Sequence, residues 1–258
     1  MAILHLGKLD IHYVTLDGSQ QSPDSQDELV LIHGLAANLG FWYLRLAPGL
    51  TGIGRVTMFD LRGHGLSSMP NSGYSPEIMA GDLAELLDKL GIEASHVIGH
   101  SFGGCVAAHF AEKYPDRTKS LVLADTRIRS MQPTLDLNNW KFWSRYRETF
   151  SKAGVHLDEG ACEFGYKLFE QLAQLRLQRP EALEMLQRVI PTPFQSSSGR
   201  IAAHRWLKLL KSTSAPRDFT KAENLSADDL QHICVPTMLI YGEYSQALPT
   251  GYALKDMW

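Results

Sequence analysis

Cysteine is scarce in this chain. Cys105, Cys162 and Cys234 are odd in number, far apart and without C-x-x-C spacing, so neither a disulfide framework nor a zinc site is expected, and they read as reduced thiols. A surplus of either charge is also missing. Lys and Arg number 25 against 28 Asp and Glu, a formal net charge of −3, and no basic stripe carries interleaved aromatics, which argues against a nucleic-acid partner. Long apolar runs are absent too: the N-terminal MAILHLGKLD is broken by His5, Lys8 and Asp10, too short and polar for a signal peptide or a membrane span. A cytoplasmic protein without stable membrane insertion is the expectation. The phosphate-cradling patterns G-x-G-x-x-G and G-K-[ST] do not occur, so no nucleotide, metal or other cofactor is anticipated. Small, largely uncharged molecules are the ligands that fit this profile.

What the chain does contain is the material of a folded α/β protein. With 258 residues, 44% of them hydrophobic and 21% charged, it is long enough for one large domain with an insertion. Short β-rich runs (AILHLGKL, IHYVTLDG, ELVLIHG, RVTMFD, SHVIGH, KSLVLAD, PTMLIYGE) alternate with helical patterns, predicting a mostly parallel sheet flanked by helices, with the first two strands as an edge hairpin. Ile78, Met79, Leu83, Leu86, Leu87 and Leu90 keep the helix period behind Ser75 as N-cap and Pro76 at the first position, with Gly91 as the stop. A second helix is predicted over 103–114. Between about 126 and 232 the β signal gives way to aromatic-rich amphipathic stretches around Trp140, Trp143, Trp206 and their neighbours, with a loop at 191–199. Three segments follow: a core over 1–125, a helical insertion over 126–232, and the core continued over 233–258.

Chemistry enters at SHVIGHSFGG. Gly99-His100-Ser101-Phe102-Gly103 matches G-x-S-x-G at a strand-to-helix junction. The glycines leave room for a tight turn whose serine projects above the sheet edge, at a helix N-terminus that favours developing negative charge. Upstream, the strand ELVLI ends in His33-Gly34-Leu35, and here the sequence resembles the α/β-hydrolase family. That resemblance implies an α/β-hydrolase fold with a helical cap, Ser101 as nucleophile, and the backbone N–H groups of Leu35 and Phe102 as its oxyanion hole. The stretch from Asp60 to Ser67, DLRGHGLS, is similar to the family's turn after its next strand; Arg62 and Asp60 are expected to form a local pair. The side chain of His33 is expected to shape its loop, and His64 to take no direct part in catalysis.

A serine nucleophile needs a base, and the base an acid. The resemblance places the acid three residues after the glycine of PTMLIYGE, where this chain has Ser245. Asp125, at the end of KSLVLAD, is the favoured replacement, with an N-cap of the next helix as its bland alternative; Glu243 is the alternative acid. For the base, the family's position lies after one further helix and strand, and no histidine follows His232. A shortened chain, with an exposed final sheet edge, is therefore expected, and a non-catalytic protein comes second. The function anticipated is a cofactor-free serine hydrolase acting through an acyl-enzyme on a small, largely apolar ester or related acyl compound. The alternative is a truncated or ligand-binding member of the fold without turnover. The substrate itself and the oligomeric state are not legible.

Overall fold

The computed structural model describes residues 2–18, 27–135, 137–140, 142–159, 165–186, 192–220 and 225–258. Cys162, Phe164 and Pro191 lie outside them. Seven strands form one sheet: β1 (Ala2–Leu6), β2 (Leu9–Leu16), β3 (Asp27–Ile32), β4 (Gly54–Phe59), β5 (Ser95–His100), β6 (Thr118–Ala124) and β7 (Thr237–Ile240). Their spatial order is β1-β2-β4-β3-β5-β6-β7. The β1–β2 and β2–β4 pairs are antiparallel and the rest parallel, so the predicted edge hairpin and parallel body are both present.

The helices, in chain order, are α1 (Gly40–Tyr43), α2 (Ala47–Leu50), α3 (Pro76–Leu90), α4 (Phe102–Lys113), α5 (Trp143–Ala153), α6 (Gly165–Gln178), α7 (Pro180–Met185), α8 (Gly199–Ser212), α9 (Ala215–Thr220), α10 (Ala227–Gln231) and α11 (Leu248–Met257). The local signals for α3 act as expected. The Ile78 N–H donates to Ser75 Oγ at 3.3 Å, and Gly91 closes the helix in the left-handed region, its N–H donating to Asp88 O and Leu87 O. Among the described residues of 126–232 there is helix and loop but no strand.

Strand β3 shows why the middle of the sheet reads as an unbroken apolar run. Leu29 and Leu31 join a cluster with Val56, Met58 and Trp42, whereas Val30 and Ile32 join the larger cluster that includes α3 and α4. Successive side chains point to opposite faces, and both faces are covered. The order also reverses at β3: β4 lies on one side and β5 on the other. Such a switch point opens a crevice at the carboxyl ends of the two central strands, where Gly34 and Ser101 emerge. No helix among the described residues is long and apolar enough to cross a membrane.

Candidate active site

Ser101 sits between β5 and α4 with φ 53° and ψ −122°, a conformation that costs a non-glycine residue roughly 1–3 kcal/mol unless its surroundings enforce it. They do. The Ser101 N–H donates to Ala124 O at 2.9 Å on β6, and the Gly104 N–H donates to Ser101 O at 2.9 Å. A Cβ on Gly103 would lie 2.5 Å from the carbonyl oxygens of both Ile32 and His33, and one on Gly99 would run into the Gly103 carbonyl. The two motif glycines thus let β3, β5 and α4 meet at backbone distance, and that contact fixes the serine's position.

The loop after β3 is built around His33, which is fully buried. Its Nε2 accepts from the Leu61 N–H at 3.0 Å, so the proton is assigned to Nδ1, which donates to Gly34 O at 2.8 Å. Burial pushes its pKa below the usual histidine range. His33 is a neutral strut for the turn, as its sequence context implied. A Cβ on Gly34 would stand 3.1 Å from Ser101 Cβ, so the turn carrying Leu35 lies against the serine. Phe102 is the first residue of α4, where an N–H has no intrahelical acceptor. The structure therefore brings Ser101, Phe102 and the Gly34-Leu35 turn together.

Asp125 follows β6 directly, beside Ser101 in a register that pairs His100 with Ala124. It too has positive φ, 53°, and its N–H donates to Ile240 O at 2.7 Å. It caps no helix. Its Oδ1 is buried without a hydrogen-bond partner among the described residues, an expensive state for a carboxylate oxygen. Glu243, by contrast, is exposed in the loop after β7, and Ser245 Oγ accepts the Ala247 N–H at 3.0 Å ahead of α11.

One expected contact is corrected. Arg62 does not pair with Asp60; its Nε donates to Asp82 Oδ2 on α3 at 2.6 Å and its Nη2 to Asp82 Oδ1. Asp60, 1% exposed, is taken up instead by the Leu39 N–H at 2.7 Å, the Leu66 N–H at 2.8 Å and His12 Nδ1 at 2.7 Å. Asp60 thereby ties β2, the loop after β3 and its own turn together. The sequence held no local sign of this, because His12 is 48 residues away.

The histidines near the serine are engaged elsewhere. The His100 ring stacks on Phe41 at 4.6 Å and meets Trp42 edge-on at 6.3 Å; burial lowers its pKa. His64 donates from Nδ1 to Arg62 O at 3.0 Å, and burial pushes its pKa down to about 3. Over the junction stands an aromatic wall that motif reasoning did not find: Phe219 of α9 meets Phe102 edge-on at 5.4 Å and stacks on Trp206 of α8 at 5.9 Å. Among the described residues, no group of three or more His, Cys, Asp or Glu is placed to hold a metal ion.

Residues 28–257 match the family model described as alpha/beta hydrolase fold. The chain belongs to the α/β-hydrolase fold family. Among its curated relatives is the dihydrolipoyllysine-residue acetyltransferase component of the acetoin cleaving system of Cupriavidus necator, 42% identical over 97 residues, 38% of this chain and 26% of that one. Another is the human (lyso)-N-acylphosphatidylethanolamine lipase, 34% identical over 119 residues, 44% of this chain and 34% of that one. The α/β-hydrolase chain thus spans about a quarter to a third of these relatives' length. In overall shape it is similar to the enol-lactonase from Burkholderia xenovorans, with a TM-score of 0.60 and 21% identity over 99% of this chain and 87% of that one, a likeness of fold.

Proposed function

We propose that this α/β-hydrolase is a serine hydrolase acting on a small, largely apolar ester or related acyl compound, with Ser101 as nucleophile. The observation that carries the reading is the strained Ser101 backbone, φ 53° and ψ −122°, at the switch point between β3 and β5. Ser101 Oγ attacks the acyl carbonyl, its proton passes to solvent water or to an added base such as imidazole, and the N–H groups of Leu35 and Phe102 take the developing oxyanion. Each such donor is worth about 2.7–4 kcal/mol of transition-state stabilisation. The C–O bond to the leaving alcohol then breaks as the alcohol takes the proton. Water, deprotonated in turn, hydrolyses the acyl-enzyme and regenerates Ser101. No cofactor is needed for these steps. Asp125, with its unpartnered buried oxygen, is the proposed acid that would orient and stabilise the base.

The helices over 126–232 are proposed to form a cap, with the core over 1–125 and 233–258. Phe219, packed over Phe102, and Trp206, stacked on Phe219, support an apolar acyl pocket, in keeping with a relative named for an N-acyl lipid. We assign the base to none of the histidines about the serine: His33 has both ring nitrogens engaged, His64 is held neutral, and His100 is stacked on Phe41. That same observation favours a second reading, a ligand-binding protein without turnover.

Acyl-enzyme trapping separates the two. The 258-residue protein is incubated with p-nitrophenyl butyrate, digested, and analysed by mass spectrometry. A butyryl group on the peptide carrying Ser101, absent in Ser101→Ala, is the expected result. No adduct, or one elsewhere, would favour binding without turnover.

A further inference from the structure

Helix α9 is six residues long, too short to persist on its own hydrogen bonds, and two charged side chains tie it to its surroundings. The Asp218 carboxylate, on a residue only 9% exposed, accepts the Tyr74 N–H at 3.1 Å from 144 positions away, and the Ser214 hydroxyl as well. Arg129, in the segment after β6, donates from Nη2 to Phe219 O at 2.8 Å and from Nη1 to Thr220 O at 2.6 Å. Hydrogen bonds to an ionised group are the strong ones. Between the two attachments lies Phe219, and its ring is what they hold in place.

That ring stands among four others. It meets Phe102 at 5.4 Å, Trp206 at 5.9 Å, Tyr74 at 6.3 Å and Tyr166 at 6.5 Å. The four differ in their access to water: Tyr74 and Trp206 are 0% and 2% exposed, whereas Phe102 and Tyr166 are half-buried. Phe219 therefore separates a wetted side, which begins at the residue after Ser101, from a closed one. An acyl chain running from the serine along Phe102 would meet this ring, with only close-packed side chains behind it.

We propose that Phe219 is a specificity-determining residue, the stop that limits the acyl group at Ser101 to a short chain. The proposal rests on the reading of Ser101 as the place of an acyl compound, and not on turnover there. Truncating the ring leaves space that a helix pinned at Asp218 and Arg129 closes only in part, and a longer chain can then fill it.

The test is titration calorimetry with two ketones that cannot be hydrolysed, each with a methylene in place of the ester oxygen. They are p-nitrobenzyl propyl ketone, which carries a butyryl group, and p-nitrobenzyl heptyl ketone, which carries an octanoyl group. The 258-residue protein is expected to bind the butyryl ketone about tenfold more tightly than the octanoyl one. Phe219→Ala is expected to reverse that preference, and Phe219→Leu, which keeps more of the packing, to abolish it. Phe219→Trp is expected to weaken the butyryl ketone as well, by about tenfold. A preference unchanged in the Ala and Leu variants, or a wild type that takes the octanoyl ketone at least as tightly, would overturn the stop while leaving Ser101 as the acyl site. Binding of neither ketone by any of the proteins would overturn both. Binding that follows residue 219 as expected, with no acyl group trapped on Ser101, would sustain the stop and overturn hydrolysis.

Discussion

Ser101 owes its place to two residues that have no side chain. Because a methyl group on Gly99 would strike the Gly103 carbonyl backbone, Gly99→Ala is predicted to destabilise the fold by about 3 kcal/mol, read as a lower urea midpoint. His109 gives a second prediction at this scale. It is 5% exposed on α4, and burial pushes its pKa down to about 4; Glu77 and Asp229 oppose that shift and Lys113 adds to it. Between pH 7 and 5 the unfolded chain binds a proton here that the folded chain refuses, so stability falls as pH falls. The contribution is about 2 kcal/mol over that interval, and His109→Gln should flatten the pH dependence of urea midpoints by that amount. The strand-to-helix turn that carries Ser101 was legible because its signal is five consecutive residues. The roles of His12 with Asp60, and of Phe219 over Phe102, were not. They join residues 48 and 117 positions apart, and no local pattern records such a partner.

Among the elements, α3 was readable end to end because cap, proline, period and stop all lie within one stretch of chain. The turn after β4 was misread for the opposite reason. Asp60 and Arg62 look like a pair by proximity in sequence, yet Arg62 reaches α3 and Asp60 turns toward β2. The Arg62 and Asp82 side chains are each 12% exposed, and burial raises the Asp82 pKa while Arg62 opposes the rise. Removing one partner strands a buried charge. Arg62→Met is therefore predicted to cost about 3–5 kcal/mol, and Arg62→Met with Asp82→Leu to recover most of that, measured by chemical denaturation of the single and double variants.

For the whole molecule, the alternation of strand and helix predicted the parallel sheet and its edge hairpin, and the apolar runs of the central strands β3 and β4 are buried on both faces. The order of strands, and with it the crevice between β3 and β5, depends on packing between distant segments and needed the structure. Strand β7 pairs on one side with β6 and ends the sheet order among the described residues, and Met238 and Ile240 on it are 59% and 51% exposed. An uncharged, apolar edge invites strand pairing between molecules. The 258-residue protein is predicted to self-associate with rising concentration, and Met238→Lys with Ile240→Lys to shift its sedimentation toward monomer.

The central proposal is that Ser101 is the nucleophile and that none of the histidines about it serves as its base. p-Nitrophenyl butyrate hydrolysis by the wild-type protein and Ser101→Ala, each with and without added imidazole, tests it most directly. The account predicts slow hydrolysis that imidazole raises about tenfold in the wild type, a loss partly restored from the larger one that follows removal of a triad member, with no such rise in Ser101→Ala. Equal rates in the two proteins under both conditions would contradict the nucleophile, and rapid wild-type turnover without imidazole would contradict the missing base.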